Sequence, residues 1–195
     1  DKALLIMHTE PKDPHGQDLV QIMNHLNLNS GQVLLSTQKV PLEKMPVFYN
    51  IADVTINISD AEGFGLATLE SLSCGTPIIA TVTGGLQEQV IGPDGENGVP
   101  LYPSSKSIIG SQQVPYIYED RVSKKSFIAA LDKIYFGGEA VRKDLGAKGR
   151  KHVLANYNFE NFNSRWINLM DSIYKEVGSW ETRTDYSSIT FKEVA

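Results

Sequence analysis

With 195 residues, 41% of them hydrophobic and 21% charged, the chain has the length and composition of one globular domain. Its formal net charge of −5 argues against a nucleic-acid-binding surface, and the lack of any run of about 18 apolar residues argues against a membrane span. The single cysteine, Cys74, rules out an internal disulfide and fits a reducing compartment, so we expect a cytoplasmic protein.

Short apolar runs alternate with segments of helical length over the first hundred residues. The predicted strands are residues 3–8, 32–35, 54–58, 77–81 and 98–101, and the predicted helices are residues 18–26, 42–49, 66–73 and 86–91. Such alternation favours parallel pairing through right-handed crossovers, and runs of Val, Ile and Leu indicate strands buried on both faces. We predict an α/β fold, a doubly wound, Rossmann-like parallel sheet with helices on both faces and a ligand site at the carboxyl ends of its strands.

The second half of the chain has a different pattern. Residues 103–115 are polar and Ser-rich without helical periodicity, which predicts an inserted loop. Helices are predicted over residues 123–135, 139–157 and 159–177, and the basic cluster of Lys148, Arg150, Lys151 and His152 is interpreted as a solvated helix face. We assign residues 1–177 to one domain and residues 178–195 to a C-terminal tail.

Two glycines mark the turn between the third predicted strand and the helix at residue 66. Gly63 and Gly65 lack Cβ atoms, so this turn can adopt positive φ angles and bring its backbone close to a ligand. The amides at the helix start and the helix dipole favour an anion there, and a diphosphate is the natural occupant. The glycine pair alone suits a tight turn that binds nothing equally well.

Two carboxylates accompany this turn. Glu62 precedes the predicted helix, and Glu70 lies about one turn inside it. One carboxylate can accept two hydroxyl hydrogen bonds, so the pair could hold both ends of a nucleotide-sugar. Taken singly, Glu62 also suits a charge that complements the helix dipole, and Glu70 a solvent-facing position. The second alternative assumes that the core positions of the helix are Leu66, Leu69, Leu72 and Cys74.

A second turn repeats this arrangement. Gly84 and Gly85 follow the strand at residues 77–81 and precede the helix that starts at Leu86. Turns that follow neighbouring parallel strands lie at the same edge of the sheet. We therefore expect the two glycine turns to converge on one crevice.

Taken together, these motifs resemble the signature of the retaining group 1 (family 4) glycosyltransferases of GT-B architecture. The matching residues are Glu62-Gly63-Phe64-Gly65-Leu66 with Glu70, the run 73–80, and Gly84-Gly85-Leu86-Gln87-Glu88. The similarity extends over residues 3–177, except for residues 103–119. It implies that the chain is the nucleotide-sugar-binding, C-terminal half of a GT-B enzyme.

The resemblance also implies roles for single residues. It places Glu62, as the catalytic residue, near the hydroxyls of the donor sugar, and it places Glu70 on the ribose hydroxyls. Further donor-binding residues are implied in the two turns and in the loop that faces the nucleobase: Phe64, Gly65, Leu66, Gly85, Glu88 and Val40.

The implied reaction is the transfer of a hexose from a GDP- or UDP-linked donor to a carbohydrate or lipid-linked acceptor, with retention of the anomeric configuration. No cofactor or metal is expected, because protein cations and helix dipoles stabilise the leaving diphosphate in this family. A possible metal-binding group, His8, Glu10, Asp13 and His15, lies in a loop with two prolines, which favours a solvated loop.

Two features of the family have no counterpart in the sequence. These are the Arg and Lys pair of the first strand–helix unit and the N-terminal acceptor domain. The chain also enters a strand pattern at residue 3 without an initiator methionine, so we expect a piece of a longer enzyme that is inactive without its N-terminal domain. A catalytically inactive nucleotide-sugar-binding or interaction domain is the alternative. A Rossmann dehydrogenase is excluded, because Thr68 stands where the third glycine of its motif belongs.

Overall fold

The computed structural model describes residues 3–14, 16–179 and 181–182. The chain divides into two compact units, Asp1–Met45 and Pro46–Ala195. Most of the predicted C-terminal tail lies outside the described residues. The assignment of residues 1–177 to one domain stays a prediction.

A two-stranded parallel sheet forms the centre of the first unit. Strand β1 (Leu5–His8) pairs with β2 (Val33–Ser36), and helix α1 (Leu19–His25) connects the two strands. The helix begins after Asp18, whose carboxylate accepts a hydrogen bond from the amide of Gln21 at 3.0 Å. This N-cap satisfies one of the amides that a helix start leaves without a carbonyl partner.

Strand β1 is not buried on both faces, and this part of the sequence prediction is wrong. Leu4, Leu5 and Ile6 keep 50%, 45% and 40% of their surface exposed. A strand buried on both faces needs helices packed over a wider sheet. Within the described residues β1 has one neighbouring strand, β2. A sheet of two strands is too narrow to bury β1 on both faces.

A three-stranded parallel sheet organises the second unit. Its elements in chain order are α2 (Met45–Ile51), β3 (Thr55–Asn57), α3 (Leu66–Cys74), β4 (Ile78–Thr81), α4 (Leu86–Val90), β5 (Ile91–Gly92), β6 (Gly95–Glu96) and β7 (Val99–Leu101). The strand order is β3–β4–β7, and β5 with β6 forms a separate antiparallel pair. The predicted elements of the first hundred residues agree with the observed bounds to within two residues, except that α2 begins three residues later than predicted, after a 3-10 turn at Leu42–Lys44.

The central strand β4 is buried along its whole length, as predicted for a parallel strand. Its side chains alternate between two hydrophobic clusters. Ile78 and Ala80 pack with residues of α3 and α4, whereas Ile79 packs with Val99 and with a later helix. Helices therefore cover both faces of this sheet, as expected for a doubly wound fold.

A hairpin occupies the region where the sequence predicts an inserted loop, and that prediction is wrong. Strands β8 (Ser105–Ile109) and β9 (Ile117–Arg121) pair in antiparallel register, with Ile108 opposite Tyr118. Cross-strand pairs of aromatic and β-branched residues stabilise such a ribbon. The lack of a helical period at residues 103–115 excluded a helix but not a strand.

Two helices complete the second unit. Helix α5 (Lys124–Asn156) is interrupted at Gly138, where φ is 64° and ψ is −162°, so it comprises the two helices predicted on either side of this position. Helix α6 (Phe159–Val177) has no buried residue in the part of the chain that is described. None of the described helices combines the length and the apolar character that a membrane span requires.

Candidate functional site

The two glycine turns are in direct backbone contact. The amide of Gly85 donates to the carbonyl of Gly63 at 2.9 Å. A Cβ atom on Gly84 would overlap the carbonyl oxygen of Glu62, and one on Gly85 would lie 2.6 Å from the carbonyl oxygen of Phe64. The absence of side chains at residues 84 and 85 is what allows the turns to meet, as expected from the sequence.

Gly65 connects the first turn to α3. It caps the helix in the left-handed conformation, with φ of 87°, and a Cβ atom there would overlap the side chain of Leu86. The amides that follow, beginning at Leu66, start a helix of nine residues and have no carbonyl one turn earlier in the helix. This end of α3 therefore has the donors and the dipole that attract an anion.

Leu66 does not belong to the core, in contrast to the sequence interpretation. Its surface is 66% exposed, whereas Thr68, Ser71 and Leu72 are fully buried and form the face of α3 against the sheet. Two of these three are polar, and each has a hydrogen-bond partner. Asn57 donates to Thr68 at 3.1 Å, and Ser71 donates to the carbonyl of Thr76 at 3.1 Å.

Glu70 is partly buried, so the solvent-facing alternative does not describe it. Its Oε2 accepts a hydrogen bond from the hydroxyl of Tyr49 at 2.6 Å. Burial of the phenol, together with the neighbouring Glu70 carboxylate, raises the pKa of Tyr49 well above its usual value. Sequence reasoning did not identify Tyr49, because no local pattern indicates that α2 and α3 contact each other at this position.

Glu62 is also partly buried, at the start of the first turn. Among the described residues, no hydrogen bond or ion pair occupies its carboxylate, which is thus available to a ligand. Phe64 is 48% exposed on the same turn, with its ring edge-on to Tyr157 at a centroid distance of 6.1 Å. One short segment, residues 62–66, therefore contains a carboxylate, exposed residues and the start of a helix.

The second turn contributes a residue that the sequence did not indicate. Gln89 of α4 is fully buried, and its Nε2 donates to the carbonyl of Phe64 at 2.6 Å. The predicted residue Glu88 is instead exposed, and its carbonyl accepts a hydrogen bond from Nε2 of His152 at 2.8 Å. Gln89 fixes the first turn, whereas Glu88 is exposed to solvent.

Residues of α5 and the hairpin hold the segments around the site. Arg150, predicted to lie on a solvated helix face, donates to the carbonyl of Ser73 at the end of α3. Arg121 of β9 forms an ion pair with Asp60, two residues before Glu62, and the amide of Asp120 donates to the carbonyl of Asp60 at 2.8 Å. The base of the hairpin is thus attached to the loop that carries Glu62.

Two predictions concern the first unit. Val40 is partly buried and precedes the 3-10 turn Leu42–Lys44, and it is the predicted donor-binding residue that lies in this unit. The described residues contain no group of three or more His, Cys, Asp or Glu side chains that could hold a metal ion. His15 of the candidate loop lies outside the described residues, and His8 is within 3.0 Å of the hydroxyl of Ser36.

Residues 17–130, more than half of the chain, match the model of the family described as glycosyl transferases group 1. A D-inositol 3-phosphate glycosyltransferase of Acidothermus cellulolyticus is 40% identical over 73 residues, which are 37% of this chain and 16% of that protein. A trehalose synthase of Pyrococcus horikoshii is 24% identical over 142 residues, 73% of this chain and 29% of that protein. The chain thus matches less than a third of the length of either relative.

Solved structures show the same fold. A sucrose-phosphate synthase from Thermosynechococcus elongatus superposes with a TM-score of 0.63 and 25% identity, over 88% of this chain and 38% of the other. The C-terminal domain of a group 1 glycosyl transferase from Francisella tularensis superposes with a TM-score of 0.55 and 19% identity, over 81% of this chain and 87% of the other. The predicted doubly wound fold, that of the C-terminal part of a GT-B enzyme, is confirmed.

Proposed function

Because the chain belongs to the group 1 glycosyltransferases, we propose that the two glycine turns and α3 bind a nucleotide-sugar and that the protein transfers its hexose to an acceptor with retention of configuration. The observation that carries this proposal is the hydrogen bond between Gly85 and Gly63. This bond brings the second turn against the start of α3, where an anion is favoured. The carboxylate of Glu62, which no described residue engages, lies on the same segment.

The donor lies along α3 in this proposal. Its diphosphate meets the backbone amides of Phe64, Gly65 and Leu66, and its sugar hydroxyls meet Glu62. Glu70 lies about 6 Å further along the helix axis, which suits the ribose at the other end of the diphosphate. Gly85 and Glu88 are proposed to line the same donor site. Val40 is proposed to contact the base of a GDP- or UDP-linked donor.

The chemistry follows from where charge develops. When the bond between the anomeric carbon and the diphosphate oxygen breaks, negative charge accumulates on the leaving diphosphate. Amides and the dipole at the start of α3 stabilise that charge more than they stabilise the bound donor, which lowers the barrier. We propose that this happens without a metal ion, so a chelator is expected to leave donor binding unchanged.

The relatives are longer than the region that this chain matches. We propose that an N-terminal domain, corresponding to their unmatched part, binds the acceptor, which is a carbohydrate or a lipid-linked molecule. The chain without that domain would bind donor but not transfer sugar. The free thiol of Cys74 supports the proposal that the protein works in the cytoplasm.

Calorimetric titration with UDP, GDP, ADP and their common sugar conjugates tests the donor site. We expect one nucleotide to bind selectively, its sugar conjugate to bind as well, and the affinity to be insensitive to EDTA. Binding without transfer by the longest available form of the protein would instead support a nucleotide-sugar-binding domain without catalytic activity. A lack of binding to every nucleotide would refute the proposed site.

A further inference from the structure

Tyr49 and Glu70 form a short contact between two helices of the second unit. Tyr49 lies on α2, outside the glycine turns, and its hydroxyl donates to Oε2 of Glu70 at 2.6 Å. A hydrogen bond from a neutral hydroxyl to a carboxylate is of the strong, charge-assisted kind. The bond thus engages one oxygen of Glu70, the residue proposed to bind the ribose.

The backbone of Tyr49 is fixed as well as its side chain. The buried hydroxyl of Thr76 donates to the carbonyl of Tyr49 at 2.7 Å, which ties α2 to the segment that leads into β4. The carbonyl of Thr76 in turn accepts a hydrogen bond from Ser71 of α3. Tyr49 is therefore held at a fixed position relative to the helix that carries Glu70.

The hydrogen bond from Tyr49 engages only one of the two carboxylate oxygens of Glu70. A phenol has one proton to donate, and the partly buried Tyr49 donates it to Oε2. A tyrosine hydroxyl is protonated at physiological pH, and burial with the Glu70 carboxylate raises the pKa of Tyr49 further, so the hydroxyl acts as a donor there. The carboxylate is held in one orientation, and no described residue donates a hydrogen bond to Oε1, which can therefore accept one from a ligand.

We propose that Tyr49 is a positioning residue for donor recognition: by holding Oε2 of Glu70, it aims Oε1 at the ribose hydroxyls and makes the site selective for ribonucleotides over deoxyribonucleotides. This inference rests on the proposed function, in which Glu70 binds the ribose. Its physical basis is preorganisation, because a carboxylate that is already oriented loses less conformational freedom when the ligand binds.

The experiment compares Tyr49→Phe with the wild-type protein for two ligands. These are the diphosphate that binds best among UDP, GDP and ADP, and the 2′,3′-dideoxy form of the same nucleotide. We expect Tyr49→Phe to weaken the ribonucleotide about two- to tenfold, the range of a single hydrogen bond, and to leave the dideoxynucleotide unchanged. The variant removes one oxygen atom, and an unchanged Tm would show that the fold is intact.

A second measurement separates positioning from packing. In the Glu70→Ala background, Tyr49→Phe is expected to cause no further loss of ribonucleotide affinity, because Tyr49 acts through Glu70. Equal losses for both nucleotides, a loss that persists without Glu70, or no loss at all would each overturn the role of Tyr49 while the donor site stands. If the wild-type protein bound no nucleotide, the proposed function itself would fail, and the role of Tyr49 with it.

Discussion

The amide of Gly85 and the carbonyl of Gly63 are 2.9 Å apart, and this single hydrogen bond joins turns that follow two adjacent strands, β3 and β4. Gln89 adds a side-chain bond from α4 to the carbonyl of Phe64. The backbone of the second turn and the side chain of Gln89 therefore hold the turn that leads into α3. The side chains of Glu62 and Phe64 are left partly or largely accessible at the surface of this assembly.

The first prediction concerns the fit between the turns. Gly84 has φ of 49°, and a Cβ atom there would overlap the carbonyl oxygen of Glu62. We expect Gly84→Ala to lower the free energy of unfolding by about 1–3 kcal/mol, because the residue would be strained and the turns would have to separate. Chemical denaturation measures this change, and nucleotide binding should weaken in parallel.

Gly63→Ala is the matched control for that variant. A Cβ atom on Gly63 would have no atom within 4 Å among the described residues, so its denaturation midpoint should equal that of the wild type. Equal stability of the Gly84→Ala and Gly63→Ala variants would contradict the close packing of the two turns.

Regular elements with a strong local pattern were predictable from the sequence. The run Ile78-Ile79-Ala80 is apolar and bounded by Pro77, and it forms the buried strand β4. Gly137 and Gly138 mark the interruption of α5, because a glycine pair has the conformational freedom that such a kink requires. In both cases residues adjacent in the sequence determine the local structure.

Contacts between distant segments were not predictable in the same way. The hairpin of β8 and β9 depends on pairs such as Ile108 with Tyr118, and each strand alone is too polar to stand out. Leu66 follows the apolar pattern of a core residue, yet the buried face of α3 is formed with Thr68 and Ser71 because hydrogen bonds satisfy their hydroxyls. Of the site, the two turns were predictable, whereas the supporting residue Gln89 was not.

The second prediction concerns the ribose end of the site. Glu70→Ala should weaken binding of the nucleoside diphosphate by about 1.5–3 kcal/mol, the typical contribution of hydrogen bonds to a charged group. Calorimetric titration measures this loss. Glu160→Ala on α6 is the control, since it removes a helix carboxylate that is not part of the proposed site, and its affinity should match the wild type. An unchanged affinity of Glu70→Ala would contradict the assignment of Glu70 to the ribose.

The third prediction concerns the sugar end. Glu62→Gln keeps the size of the side chain but removes its charge, and no described residue depends on that carboxylate for a hydrogen bond or ion pair. In a form of the protein that includes the proposed N-terminal domain, we expect turnover of the nucleotide-sugar to fall at least about tenfold, whereas the nucleoside diphosphate alone binds as it does to the wild type. Parallel losses for both ligands would instead indicate that Glu62 supports the turn rather than contacting the sugar.

The fourth prediction concerns Cys74, at the end of α3. Burial is the main cause that raises the pKa of its thiol; the Arg150 guanidinium lowers this pKa, and the Glu70 carboxylate raises it. A raised pKa means less thiolate at pH 8, so the alkylation rate of Cys74 should reach half its maximum at a higher pH than that of N-acetylcysteine. Arg150→Ala should move this midpoint further upward, because it removes the cation that favours the thiolate. A midpoint at or below that of N-acetylcysteine would show that Arg150 outweighs burial.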